Sequence, residues 1–308
     1  MLDISIFILS FNRAGFLREA VASVLAQSQQ PQLIAIFDNG SPASVLDSVR
    51  DFVELDVKWI GTDYNHGSEW NFRRAFKSAE SKYFMVLHDD DRLDPFFLER
   101  QFDFLERNDS VSAVSCNGYL IDFNGLRLGS TLAPVRGRGL YEYFWSGGDV
   151  AMKYASNSCI PTSPTIYRTA MAHSVPFRDD FGKVQDAVFF CDLTKAGPVA
   201  YLFDPLYECR IHPGQDSMYF PADLMNKLES FFEQQVLRDE SLRPLLLSLL
   251  IQQHTVRNLK LMFVNLKNCR LHAFPGLAFD SRFSVSLAFN VVLARIVKYL
   301  RKITRRFY

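Results

Sequence analysis

The sequence predicts an α/β protein, a Rossmann-like, mostly parallel mixed sheet flanked by helices, with a C-terminal helical extension. Short apolar runs alternate with amphipathic helical stretches through the first hundred residues, the pattern of a parallel sheet with right-handed crossovers. Each apolar run ends in polar residues, which that topology collects on one rim, where open α/β sheets bind ligands. From Asp223 onward the pattern becomes helical, broken at Pro244 and Pro275-Gly276. With 308 residues, 48% hydrophobic and 22% charged, the chain is long and apolar enough for one large domain and a smaller one.

The elements follow in order. Residues 4–9 form a continuous apolar strand ended by Asn12-Arg13, and a helix with Leu17, Val21, Val24 and Leu25 on one face comes next. Residues 33–37 are a second strand, ending in Asp38-Asn39-Gly40-Ser41. Ser41-Pro42 then supplies an N-cap and a first-turn proline for a single helix using Val45, Val49, Phe52 and Val53. Residues 57–60 are a short third strand. A helix capped near Ser68 carries Phe72, Ala75, Phe76 and Ala79, and residues 83–87 are the fourth strand. Beyond Glu106 the pattern loosens. Strands are expected at 111–114, 119–121, 165–167, 200–203 and 207–211, and a helix at 185–196 closed by Gly197-Pro198. Residues 124–150, rich in Gly and Arg, are expected to be a loop.

Asp89-Asp90-Asp91 directly follow the fourth strand. Three adjacent carboxylates repel one another and suit an oxygen-ligated divalent cation, Mg²⁺ or Mn²⁺. They also suit a solvated turn, since Asp94-Pro95 has the form of an N-cap and first helical residue. Absent motifs narrow the chemistry. There is no GxGxxG after the first strand, no GxxxxGK[ST] and no GxSxG, which weighs against dinucleotide, P-loop and α/β-hydrolase chemistry. The five cysteines are odd in number and lack CxxC spacing, so thiols of a reducing compartment are expected. No signal peptide and no membrane span are expected.

The segments ISIFILSFNR, LIAIFDNGS, Asn65-x-Gly67 with Asn71, HDDD followed by Pro95, and QDAVFF, in this order, closely resemble the family-2 glycosyltransferases of the GT-A fold. The resemblance covers roughly residues 3–215 and implies a glycosyltransferase domain over 1–221. It implies inverting transfer of a sugar from a nucleotide-diphosphate donor, UDP-, GDP- or dTDP-linked, to an acceptor hydroxyl, with Mg²⁺ or Mn²⁺. Carried over residue by residue, Asp38 contacts the nucleobase, Phe11 and Arg13 line the base pocket, and Asn65 and Asn71 flank the nucleoside. Asp90 matches the metal ligand. Asp91 assists it, and Asp89 reaches the donor. Asp186 matches the base that takes the acceptor's proton. Arg210 and His212 fall in a segment that often closes over the donor, as a diphosphate clamp and a metal nitrogen. Two positions depart from the family pattern: His88 opens the metal motif, and Gln185 stands where many relatives have Glu.

Formal charge is zero, yet residues 1–221 hold 28 acids and 20 Lys/Arg while 222–308 hold 6 acids and 14 Lys/Arg. Beyond Asp280, Arg295, Lys298, Arg301, Lys302, Arg305 and Arg306 recur at helical spacing opposite Leu293, Ile296, Val297, Leu300, Ile303 and Phe307. Such a basic amphipathic helix suits an anionic membrane surface, or equally a solvated face on the protein body. No nucleic-acid motif accompanies it. The expectation is a cytoplasmic protein, peripheral on the inner face of a membrane, serving a glycan or lipid-linked acceptor in cell-surface polysaccharide or glycolipid synthesis. The competing readings are a nucleotidyltransferase and a non-catalytic nucleotide-sugar-binding or membrane-complex protein that kept the fold.

Overall fold

The computed structural model describes residues 1–238 apart from 136, 156–157 and 216–220. Its first half is the predicted alternation: β1 (Leu2–Ser10), α1 (Ala14–Leu25), β2 (Pro31–Asp38), α2 (Ala43–Asp47), α3 (Arg50–Glu54), β3 (Lys58–Ile60), α4 (Ser68–Lys77) and β4 (Tyr83–His88). These strands lie in the order β3-β2-β1-β4, all parallel. The continuous apolar runs of β1, β2 and β4 are explained by burial on both faces. Ile4, Ile6 and Ile8 of β1 pack with Leu17, Val21 and Val24 of α1 in one core. Phe7 points the other way, into an aromatic core with Phe37, Phe76 and Phe84.

The second half is β5 (Arg92–Leu93), α5 (Phe97–Glu106), β6 (Ala113–Ile121), β7 (Arg127–Thr131), β8 (Tyr141–Phe144), α6 (Gly147–Ala155), β9 (Ile166–Arg168), α7 (Thr169–His173), a 3₁₀ segment (Asp179–Val184), α8 (Gln185–Leu193), β10 (Val199–Arg210) and α9 (Ala222–Leu237). The sheet continues from β4 as β9-β6-β10-β5. β9 runs antiparallel between β4 and β6, whereas β6 and β10 pair in parallel. β10 is one long strand with register shifts around Pro205, and β6 is likewise one strand, so each joins two expected pieces.

Three local expectations are corrected. Residues 124–150 are not a bare loop: β7 pairs with β6, β8 pairs with β10, and α6 begins at Gly147. The single helix after β2 is two short ones, divided at Ser48–Val49, where the Ser48 hydroxyl bonds the Val45 carbonyl at 2.6 Å. Asp94 does not cap a helix begun by Pro95. Its carboxylate accepts the Phe96 N–H at 3.0 Å in a turn, and α5 starts at Phe97. Of the helical region expected after Asp223, the described residues include α9, whose Leu228 and Phe231 join the aromatic core. The basic amphipathic segment lies outside the described residues.

Gly40 shows how tightly the β2 end is built. Its φ is +80°, and a Cβ there would lie 2.4 Å from the Tyr64 carbonyl carbon. Left-handed backbone and close approach both demand glycine. Gly40→Ala is expected to cost about 1–3 kcal/mol, read as a lowered urea midpoint at unchanged slope.

Candidate active site

The ends of β1, β2 and β4 open into a cleft of about 850 Å³. Phe11, Arg13, Asn65, Asn71, Asp89, Asp90, Asp91 and Asp186 all line it. Past β1 the chain turns through Asn12, whose φ of 55° an Asn tolerates better than most residues. That turn leaves Phe11 exposed at the rim and delivers Arg13 to the start of α1.

The three carboxylates after β4 are all buried, so the solvated-turn reading does not hold. Arg13 Nη1 bridges Asp89 at 2.8 Å and Asp90 at 3.2 Å, and its Nη2 donates to the Gly214 carbonyl at 3.0 Å. Asp89 also accepts the Phe11 N–H at 3.2 Å. Burial dominates at Asp89 and, with Asp90 beside it, pushes its pKa up to about 7 against the pull of Arg13. Burial and the neighbouring Asp90 also hold Asp91 well above the usual carboxylate range, although Asp91 accepts the Arg210 N–H at 3.1 Å. For Asp90, burial is outweighed by His88, by the His212 hydrogen bond at 3.0 Å and by Arg13, and its pKa is lowered.

One nitrogen or oxygen from each of His88, Asp90 and Asp91 lies within 4.8 Å of the others. Two buried carboxylates and an imidazole are a donor set that fits a divalent cation, Mn²⁺ more readily than Mg²⁺. The expected trio contained His212 in place of His88. The structure puts His212 Nε2 3.0 Å from Asp90 Oδ2 and against the Phe16 ring, and groups His88 with Asp90 and Asp91. His88 was visible in the sequence only as a departure from the motif.

Across the cleft, α8 begins with Gln185 and Asp186. Asp186 is half-buried. Its carboxylate accepts the Thr162 hydroxyl at 3.1 Å and the Ala187 N–H at 2.8 Å. Burial raises its pKa, and the Ala187 N–H, Thr162 and His88 partly offset that. Gln185 Oε1 accepts from Arg73 Nε at 3.1 Å and also from Nη2, and Arg73 pairs with Asp179.

The β2 side is a polar lattice. Asp38 accepts the Ser41 N–H at 2.9 Å, and its other oxygen is buried without a partner among the described residues. Asn71 donates to the Phe37 carbonyl at 2.7 Å, and its own oxygen is likewise unpartnered. Asn39, one of the polar residues expected on the rim at the end of β2, donates to Asn65 at 2.8 Å and to the Gly67 carbonyl at 3.0 Å, fixing the loop that carries Asn65.

Arg210 is corrected. It is fully buried, and its guanidinium donates to the Asp90 and Phe123 carbonyls at 2.8 and 2.9 Å and to Glu19 at 2.6 Å. It stacks over Phe16 and does not line the cleft, so it cannot serve as a diphosphate clamp. Its work is to brace the backbone between the metal-type carboxylates and the 210–215 segment.

A family model described as Glycosyl transferase family 2 matches residues 5–171. An uncharacterized glycosyltransferase of Haemophilus influenzae is 22% identical over 224 residues, covering 70% of this chain and 68% of that protein. One from Rickettsia felis is 32% identical over 131 residues, covering 41% of this chain and 21% of that protein. The fold is similar to the crystal structure of S. aureus TarS 1–349 in complex with UDP-GlcNAc. That similarity has a TM-score of 0.58 at 15% identity and covers 76% of this chain and 70% of that one.

Removing the Arg210 guanidinium takes the donor from three carbonyls, those of Asp90, Asp122 and Phe123, and leaves Glu19, among the described residues, with Arg92 alone. Arg210→Met is expected to cost about 3 kcal/mol, the low end for a broken buried pair because Glu19 reaches solvent. The measurement is urea denaturation, and a variant of native stability with selectively weakened donor binding would restore the clamp.

Proposed function

Because the chain belongs to glycosyl transferase family 2, we propose that it moves a sugar from a nucleotide-diphosphate donor to an acceptor hydroxyl with inversion. The observation that carries the reading is that a metal-type group, His88, Asp90 and Asp91, and a separate carboxylate, Asp186, open into one cleft. Inverting displacement needs that pair of functions: charge stabilisation at the leaving diphosphate and a base at the attacking hydroxyl.

Asp186 accepts the proton as the acceptor oxygen bonds the anomeric carbon and the carbon–oxygen bond to the diphosphate breaks. Thr162 and the Ala187 N–H hold the carboxylate's orientation. Phe11, Arg13, Asn65 and Asn71, which line the cleft, serve the nucleoside end together with the unpartnered oxygen of Asp38, which is buried outside the lining, and Asp89 holds Arg13 in place. A bound Mn²⁺ or Mg²⁺ would supply the charge that offsets the departing diphosphate, held by His88, Asp90 and Asp91. UDP-linked donors are the first to test, supported by the TarS structures with UDP-GlcNAc and UDP. The acceptor reading, a glycan or lipid-linked glycan met at a membrane surface, rests on the basic segment outside the described residues. No helix among the described residues is long and apolar enough to cross a membrane.

Asp186→Asn is expected to lower turnover by about 10²–10⁴-fold while Mn²⁺-dependent donor binding persists, seen by calorimetry. Asp90→Asn is expected to lose that binding. Turnover surviving in Asp186→Asn would refute the base assignment.

The base works only when ionised, so with its pKa raised the rate falls on acidification at a pH above the usual aspartate range. Gln185→Glu adds a negative charge beside it and is expected to move the acid limb of kcat/KM further up. An unmoved limb would place the titrating base elsewhere.

A further inference from the structure

We propose that the neighbouring hydroxyls of Thr162 and Ser163 are positioning residues that tie the base and the metal-type carboxylates into one fixed geometry. This rests on the roles proposed above for Asp186 and for His88, Asp90 and Asp91.

The two hydroxyls face different halves of the chemistry. Thr162 Oγ1 donates to Asp186 Oδ2 at 3.1 Å. Ser163 Oγ accepts the His88 N–H at 3.1 Å, and its hydroxyl favours the ionised form of the Asp91 carboxylate. A serine hydroxyl has one proton to give and lone pairs to receive, so accepting from His88 leaves its proton available to Asp91. Adjacent residues thus contact the base and the ligand group, and the distance between those centres follows from one peptide unit.

The segment that carries them is braced. Pro161 and Pro164 flank the pair and fix φ on either side. The Pro161 carbonyl accepts from Ser115 at 3.1 Å and from the Thr165 hydroxyl at 2.6 Å. The Pro164 carbonyl accepts from Gln101 at 3.2 Å. Its placement comes from β9, which pairs antiparallel with β4 so that Ile166 faces Met85. Continued backward, that register sets Ser163 beside His88. Ser163 is buried, and neither hydroxyl is needed for β9 to pair.

The test is steady-state kinetics of Thr162→Val, Thr162→Ser and Ser163→Ala in the full chain with UDP-sugar donor and Mn²⁺, alongside thermal melts. Loss of the Thr162 hydrogen bond removes a group that favours the ionised base. Thr162→Val is therefore expected to lower kcat about tenfold or more at unchanged donor KM and to move the acid limb upward, and Thr162→Ser is expected to restore both. Ser163→Ala is expected to raise the Mn²⁺ concentration for half-activation several-fold while leaving the acid limb in place. Wild-type kcat and pH profile in Thr162→Val, or unchanged Mn²⁺ dependence in Ser163→Ala, would overturn the proposal. So would a loss in Thr162→Val that Thr162→Ser fails to rescue. Activity persisting in Asp186→Asn would instead remove the base assignment beneath it, and this proposal with it.

Discussion

Three buried carboxylates in a row are the constraint around which this molecule is organised. Moving even one carboxylate out of water costs several kcal/mol unless charge and hydrogen bonds return it. Here the compensation comes from distant chain segments. Arg13 arrives from the turn after β1, His212 and the Arg210 N–H from the end of β10, and the Ser163 hydroxyl from the approach to β9. Each of those segments must reach the C-terminal end of β4, which a parallel β1–β4 pair and a returning β10 allow. The compensation is also uneven. Asp90, touched by Arg13 and His212, is held ionised, whereas burial keeps Asp89 and Asp91 high. The pocket therefore retains a demand for positive charge, which a divalent cation would meet.

That demand explains Arg210 better than substrate binding does. A guanidinium buried to 0% exposure is tolerable only with its donors occupied, and here they are spent on the backbone at Asp90 and Phe123 and on Glu19. Its side chain fixes where Asp90 and Asp91 stand, and its N–H reaches Asp91 directly. The same residue thus anchors the 210–215 segment from which His212 touches Asp90 and Gly214 receives Arg13.

How much of this was legible depended on the range of the deciding interaction. β1, β2 and β4 are buried on both faces, so their apolar runs announce them, and the strand-end residues Asp38 and Asp89 to Asp91 follow from the topology. Asp186, singled out by its order after the carboxylate run, lines the same cleft. β7, largely exposed along its length, carries no apolar signature and exists because it pairs with β6. β8 likewise depends on β10. The partner that decides Arg210 is Glu19, 191 residues away, and no local pattern encodes it. Thr162 and Ser163 gave no motif, because their position is a consequence of β9's register.

Gln185 shows how a departure from family pattern becomes chemistry. Arg73 offers only donors, so the amide oxygen of Gln185 must face it, and both Nε and Nη2 of Arg73 are directed there. The amide nitrogen is turned away from Arg73, and Gln185 lines the cleft beside Asp186. A glutamate in that place would present only acceptor oxygens and a second negative charge to the cleft. The glutamine presents a donor and no charge. It therefore lightens the electrostatic load on Asp186 while reversing the hydrogen-bond polarity of that side of the cleft. Since Arg73 also pairs with Asp179 ahead of α8, that reversal is fixed by the scaffold and is not a matter of side-chain rotation.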